Sequence, residues 1–285
     1  MTSPLPGTLG LVAGNGRFPF VFAEAARARG VSVAAVALRE ETDPDLERHV
    51  DRMEWFHVGQ LSAMIDYLKS AGCKEAIMAG QLRLRLIFED WETLMADPLV
   101  LDLLSRVSDR RGDNVLASVA DIFESHGIHL LESTLLLEDQ VARPGNLSRR
   151  APTAEEEEEI AFGWKIAKTL AGLLIGQTVA VKRRAVVAVE AVEGTDACIR
   201  RAGELAGEGV VLVKVSKPDQ DLRFDIPVVG IETVRALAEA KAAVLVIEAG
   251  RTLILDRAQV LEIAEEKGIA IVARSDEGKA AGKAE

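Results

Sequence analysis

Aromatic residues are scarce in this chain: Phe, Trp and Tyr together make 4% of 285 residues, against 48% hydrophobic residues overall. Cores must therefore be filled by Val, Leu, Ile and Ala, the usage of α/β layers, and the length suffices for two domains of ordinary size. Cysteine is nearly absent. Cys73 and Cys198 lie far apart and form no CxxC pair, which argues against a disulfide scaffold or a cysteine zinc site and leaves free buried thiols in a reducing cytoplasm as the expectation. Positive charge is in deficit. A net charge of −11 argues against binding nucleic acid or anionic membrane over the whole surface, while leaving room for local basic clusters that hold a phosphate. No apolar run approaches the ~20 residues of a spanning helix, and the first residues lack the basic, apolar and small-residue regions of a secretory leader. A soluble, cytoplasmic protein is expected.

What the chain does concentrate is charge of both signs in one short stretch. Val210–Gly230, VVLVKVSKPDQDLRFDIPVVG, opens as a short β-branched strand and then breaks pattern. Asp219, Asp221 and Asp225 lie between Pro218 and Pro227, with Lys214, Lys217 and Arg223 before and among them. Hard oxygen ligands beside cations suit Mg²⁺ and a phosphorylated substrate. A solvated loop whose charges pair with one another is the structural alternative.

The N-terminal half reads as alternating strands and helices. Thr8–Ala13 runs into Gly14-Asn15-Gly16, Phe18, Phe22, Ala25 and Ala26 recur at helical spacing up to Gly30, and Val31–Leu38 supplies a second strand. Such a βαβ unit lets glycine backbone and a helix N-terminus approach a phosphate, with Gly14, Asn15, Gly16 and Arg17 as candidate contacts. Pro19 stands where a dinucleotide fingerprint needs its third glycine, which favours a mononucleotide or diphosphate over NAD, and a purely structural glycine turn stays open. Trp55–Val58, Ala76–Met78 and Ile128–Leu131 are further strand candidates, with helices over Gln60–Ala71, Leu82–Met95 and Asn114–His126. This alternation implies a doubly wound parallel sheet, whose strand ends offer Gly80-Gln81 and, less directly, Arg110 and Arg111 as ligand contacts. An N-cap at Asp113 or Asn114 would explain the last segment without any ligand. His126 and His129 are three apart, but the intervening Gly127 ends the helix, so they are not read as metal ligands.

Glu138–Ala154 has no hydrophobic period and reads as a linker between domains at 1–137 and 155–274. Thr153 with Glu156 forms a capping-box pattern, so the Glu155–Glu159 run is a helix start. Thr178–Val181 and Ala185–Ala191 flank Lys182-Arg183-Arg184 as a β-hairpin, with Lys182 a candidate substrate cation. Gly194, Thr195 and Asp196 then open a helix over Ala197–Ala206, where backbone and hydroxyl donors could meet a phosphate and Asp196 could assist a metal or cap the helix. Strands are expected over Val210–Val215, Ala243–Glu248 and Ile269–Ala273, helices over Ile231–Ala240 and Arg257–Lys267, and a disordered polar tail from Ser275.

Gly14-Asn15-Gly16 with Pro19, the run IGQTVAVKRRAVVAVEAVEGTDACIRRAG from Ile175, and VKVSKPDQDLRFDIPVVG from Val213 together resemble the LpxI family. The resemblance covers nearly the whole chain apart from the linker and tail. It implies a Rossmann-like N-terminal domain, a C-terminal mixed α/β domain and a ligand cleft between them. It also implies Mg²⁺-dependent hydrolysis of UDP-2,3-diacylglucosamine to UMP and 2,3-diacylglucosamine 1-phosphate (lipid X) in lipid A synthesis. The family's catalytic aspartate falls on Asp225, with Asp196 a second candidate ligand for Mg²⁺. The implied partner is a lipid-linked UDP-sugar met in transient contact with the inner-membrane surface, and no nucleic acid. A non-catalytic nucleotide or glycolipid carrier and an NAD(P)-dependent oxidoreductase, with Glu40 as its ribose acid, are the alternatives the residues leave open.

Overall fold

The computed structural model describes residues 7–39, 41–82, 95–106 and 112–275. Two compact units are present, and no single cut in the sequence separates them: the first comprises Met1–Leu137 with Asp221–Asp225, the second Glu138–Gln220 with Ile226–Glu285. The chain thus passes from one unit to the other three times.

The first unit is built on a five-stranded sheet, parallel throughout, in the order β3-β2-β1-β4-β5. Its strands are β1 (Thr8–Ala13), β2 (Ser32–Leu38), β3 (Arg52–Phe56), β4 (Glu75–Ala79) and β5 (His129–Leu130). The central strands are small and apolar because helices cover both faces, so β2, SVAAVAL, is buried at every position but its first. Ala34, Val36 and Leu38 pack against Met64, Ile65 and Leu68 of α2 (Leu61–Ser70), together with residues of α3 (Pro98–Arg106) and α4 (Gly112–Ser125). On α1 (Phe18–Ala28), Phe18, Val21, Phe22 and Ala26 are buried, and each large side chain removed from water contributes roughly 1.5–3 kcal/mol. Pro19 sits in the first turn of α1, where its missing N–H costs nothing. A 3₁₀ turn at Pro44–His49 and helix α3 carry no period that the sequence reading resolved. Glu40, Arg110, Arg111, most of the expected Leu82–Met95 helix and the tail beyond Ser275 lie outside the described residues.

The second unit is a six-stranded mixed sheet, order β6-β13-β11-β9-β7-β8, beside a two-stranded pair β10-β12. Here β6 is Gly145–Asn146, β7 Thr178–Lys182, β8 Ala185–Val189, β9 Val211–Lys214, β10 Val228–Val229, β11 Val244–Glu248, β12 Leu253–Ile254 and β13 Ala270–Arg274. The hairpin joining β7 to β8 turns through Arg183 and Arg184, both at positive φ, as the twist of a two-residue connection requires. Period-2 alternation sorts the sheet's two faces. Leu212, Leu245, Ile247 and Ile271 face α6 (Thr195–Ala206), α7 (Ile231–Glu239) and α8 (Arg257–Glu266), whereas Val211, Val213, Val244, Val246 and Val272 face α5 (Ala154–Gly172). The capping box at Thr153 and Glu156 is formed. Among the described residues no helix is long and apolar enough to cross a membrane.

The stretch expected as a linker is instead built into the second unit. Ala142 donates its N–H to Thr252 O at 2.9 Å, Ile254 donates to Gln140 O at 2.9 Å, and β6 pairs with β13. Ser148 accepts from Ile271 N–H at 2.8 Å, and Arg150 donates to Ala243 O at 3.0 Å. These anchors are single polar groups without a period, which is why the composition reads as a linker.

Candidate functional site

In the first unit the two glycine turns meet. Gly14 N–H donates to Ala79 O at 2.8 Å, while Asn15 and Gln81 exchange backbone bonds of 2.8 and 3.0 Å. A Cβ on Gly14 would lie 2.7 Å from Gln81 O, and one on Gly80, at φ +100°, 2.7 Å from Asn15 O. Gly14 and Gly80 are therefore glycines because the ends of β1 and β4 press on each other. Gly16 differs: its φ is +93° and nothing lies within 4 Å of where its Cβ would be. It opens the backbone immediately before α1. Arg17 follows, paired with Glu24 at 3.1 Å and placed 5.6 Å from the Phe20 ring centroid. Gly80→Ala is expected to cost roughly 2–4 kcal/mol in denaturant unfolding, from a backbone clash added to positive φ. A loss below about 0.5 kcal/mol would show that the two turns part freely.

Asp221–Asp225 belongs to this unit as one helical turn, with Asp225 N–H donating to Asp221 O at 3.0 Å. Arg223 grips Asp221 through Nε at 3.0 and 3.2 Å and Nη2 at 2.7 Å, so two of the expected site charges neutralise each other. That guanidinium holds the Asp221 carboxyl below the usual carboxylate range. A depressed carboxyl stabilises the fold above its unfolded value and loses that contribution as pH falls through its folded value. Asp221→Asn should therefore lower Tm at pH 7, and the difference from wild type should close in acid below about pH 4, as read by thermal melts across pH. Phe224 packs into the unit's core, and Ser133, 1% exposed, holds the carbonyls of Leu222 and Arg223.

In the second unit a separate polar cluster sits at the C-terminal end of β9. Lys214, only 7% exposed, donates to Thr195 Oγ1 at 2.6 Å, and Thr195 donates to Glu190 Oε1 at 2.8 Å. Thr195 is the first residue of α6, whose N-cap, Gly194 at φ +84°, supplies no side-chain acceptor. Asp196 is in the same first turn. On the sheet's other face Glu248, 4% exposed, accepts from Ser216 N–H and Oγ, both at 2.8 Å, and from Lys168 at 3.0 and 3.1 Å. That carboxylate pins the start of the charged loop, where Lys217 N–H donates to Gln220 Oε1 at 2.7 Å and Asp219 is exposed. Lys182 is not brought to this end: its Nζ donates to Ala206 O at 2.7 Å and Glu208 O at 2.6 Å, capping the C-terminus of α6.

Glu190, Ser216, Glu248 and Ser133 were not visible as site elements in the sequence. Each is a single polar residue whose meaning lies in a distant partner. Cys73 and Cys198 are free and buried, and burial pushes the Cys198 thiol up to about 11, far from a thiolate at neutral pH. Among the described residues no group of three or more His, Cys, Asp and Glu gathers at one point. Asp225 belongs to the first unit and Asp196 to the second. Each unit thus offers a single candidate carboxylate. That fits Mg²⁺, which is commonly bound through one or two carboxylates with water and substrate phosphate supplying the rest.

Known proteins match the chain over both units. The LpxI N-terminal domain model matches residues 8–140 and the LpxI C-terminal domain model residues 143–272. The chain belongs to the LpxI family. It is 32% identical over 276 residues to UDP-2,3-diacylglucosamine pyrophosphatase LpxI of Caulobacter vibrioides, covering 93% of this chain and 96% of that protein. Solved structures that it partly resembles include phosphoribosylglycinamide synthetase from Anaerococcus prevotii, at 11% identity and a TM-score of 0.24 over 61% of this chain and 31% of that one. Another is the biotin carboxylase domain of a thermophilic 2-oxoglutarate carboxylase, at 12% identity and a TM-score of 0.27 over 61% and 35%. The first match ends at residue 140, three residues past Leu137, whereas the second runs through Asp221–Asp225, which belong to the first unit.

Proposed function

We propose that this LpxI protein hydrolyses the diphosphate of UDP-2,3-diacylglucosamine, giving UMP and 2,3-diacylglucosamine 1-phosphate in lipid A biosynthesis. The observation that carries the reading is the end-to-end match to a pyrophosphatase of that name. The first unit is read as Rossmann-like, since a parallel sheet in the order 3-2-1-4-5 reverses between β1 and β4. Open α/β sheets take ligands outside the carboxyl ends of the strands at that reversal, where Gly14–Arg17 and Gly80-Gln81 lie. Gly16 and the N-terminus of α1 are assigned to phosphate contact there. In the second unit Lys214, Thr195 and the uncapped first turn of α6 supply a desolvated cation, a hydroxyl and backbone donors to charge that develops on phosphate oxygens. Asp225 acts as the carboxylate that orients the attacking water and would hold Mg²⁺, with Asp196 a second candidate. When bound, Mg²⁺ would neutralise the diphosphate and acidify a water. The substrate is lipid-linked, so cytoplasmic action with transient contact at the inner-membrane surface belongs to the same reading.

Formation of UMP and 2,3-diacylglucosamine 1-phosphate from UDP-2,3-diacylglucosamine in mixed micelles tests it. Turnover should vanish on exhaustive chelation and return with Mg²⁺ better than with Zn²⁺, because the candidate ligands are oxygens. Tight binding without turnover in any divalent metal would leave a carrier instead, and full activity in chelator would remove the metal.

A further inference from the structure

The segment that carries Asp225 is held from one residue far away in sequence. Ser133 donates its backbone N–H to Leu222 O at 2.8 Å. Its Oγ lies 2.7 Å from Arg223 O and 2.6 Å from Met78 O, the latter in β4. A serine hydroxyl has one proton, so the two carbonyls share or exchange it, and the hydroxyl ties the turn to the strand that ends at Gly80. The other members of the turn are likewise spent on holding it: Asp221 and Arg223 pair with each other and Phe224 enters the core. Asp225 closes the turn through its N–H to Asp221 O. Ser133 is 1% exposed, so water does not compete for these bonds.

We propose that Ser133 is the positioning residue of Asp225, fixing the turn Asp221–Asp225 on the end of β4. The proposal rests on the reading of Asp225 as catalytic. Ser133 touches no substrate in it. It acts by removing freedom from the carboxylate, and displacements of about 1 Å at a reacting group cost on the order of a hundredfold in rate. Stability is a weaker lever, because the backbone N–H bond to Leu222 survives any substitution of the side chain.

The test is steady-state kinetics on the full chain carrying Ser133→Ala, Ser133→Cys and Asp225→Ala, with thermal melts on each. Ser133→Ala is expected to lower kcat by about 10- to 100-fold with KM within about twofold. Its Tm should stay above the assay temperature by a margin that keeps the protein folded. Ser133→Cys, which keeps a weak donor on a slightly larger side chain, should recover part of the loss. Added to Asp225→Ala, Ser133→Ala should change the residual kcat less than about twofold, since a residue acting only through Asp225 has nothing left to position. Wild-type kcat in folded Ser133→Ala overturns the proposal, as does a loss that disappears on cooling the assay. Asp225→Ala with turnover within about threefold of wild type would instead overturn the catalytic reading on which it rests, and the two failures fall on different variants.

Discussion

Asp225→Ala is expected to lower kcat by ~10³-fold or more, while substrate affinity stays within about threefold of wild type. Asp221 pairs with Arg223, Phe224 enters the core and Asp225 N–H bonds Asp221 O, so the turn fixes where Asp225 stands. A group that orients water, or holds a metal against the diphosphate, contributes mainly in the transition state, where charge and geometry differ from bound substrate. Its removal should therefore appear in kcat and leave binding to the glycine turns and the Lys214 cluster. Asp219→Ala is the contrast, since Asp219 is exposed in the other unit and should change kcat by less than about threefold. Kinetics with both variants, each with a thermal melt, check the pair. Equal losses from the two substitutions would show that the acidic loop acts by bulk charge rather than through one placed carboxylate.

Much of the architecture was legible because it rests on period. Val31–Leu38 and Ala243–Glu248 announce strands by their mostly apolar runs, and Phe18, Phe22 and Ala26 announce a helix face by spacing. The two glycine turns were legible as turns, but their reason was not. Sequence shows that Gly14 and Gly80 lack a Cβ, and only the pairing of β1 with β4 shows that each needs this for the other. Glu138–Ala154 misled for the opposite cause, since Ser148 and Arg150 anchor it one polar group at a time, a pattern no hydrophobic period can reveal. The deepest omission concerns Asp221–Asp225. Composition marked the loop as special and the resemblance to LpxI pointed to Asp225, yet nothing local says that five residues so late in the chain belong to the first unit. That fact depends on Ser133, about ninety residues earlier.

Lys214→Met is expected to lower kcat/KM by about a hundredfold or more, whereas Lys182→Met should leave it within about threefold and lower Tm instead. The two lysines sit at opposite ends of the hairpin sheet. Thr178 pairs with Lys214 and Val181 with Val211, so Lys182 lies beyond the start of β9 while Lys214 ends it. Lys182 already gives its protons to the carbonyls of Ala206 and Glu208, satisfying acceptors that the end of α6 would otherwise leave bare. Removing it uncaps a helix, at a cost of order 1 kcal/mol. Lys214 is a desolvated cation that reaches a hydroxyl at the first turn of α6, on the side where backbone N–H groups emerge. An ammonium held in low dielectric beside such donors stabilises phosphate charge far more than an exposed one would. Methionine keeps the length and apolar stem of the side chain, so the second unit should fold, with a moderate loss of stability because the Glu190 carboxylate behind Thr195 loses its nearby cation. Arginine should restore only part of the activity, its planar fork being a poor substitute for a point donor to Thr195. Measured kcat/KM and Tm for the three variants check the assignment. A Lys214→Met enzyme within about fivefold of wild type, or a Lys182→Met enzyme that loses turnover at unchanged Tm, would place the second unit's phosphate contact at the other end of the sheet.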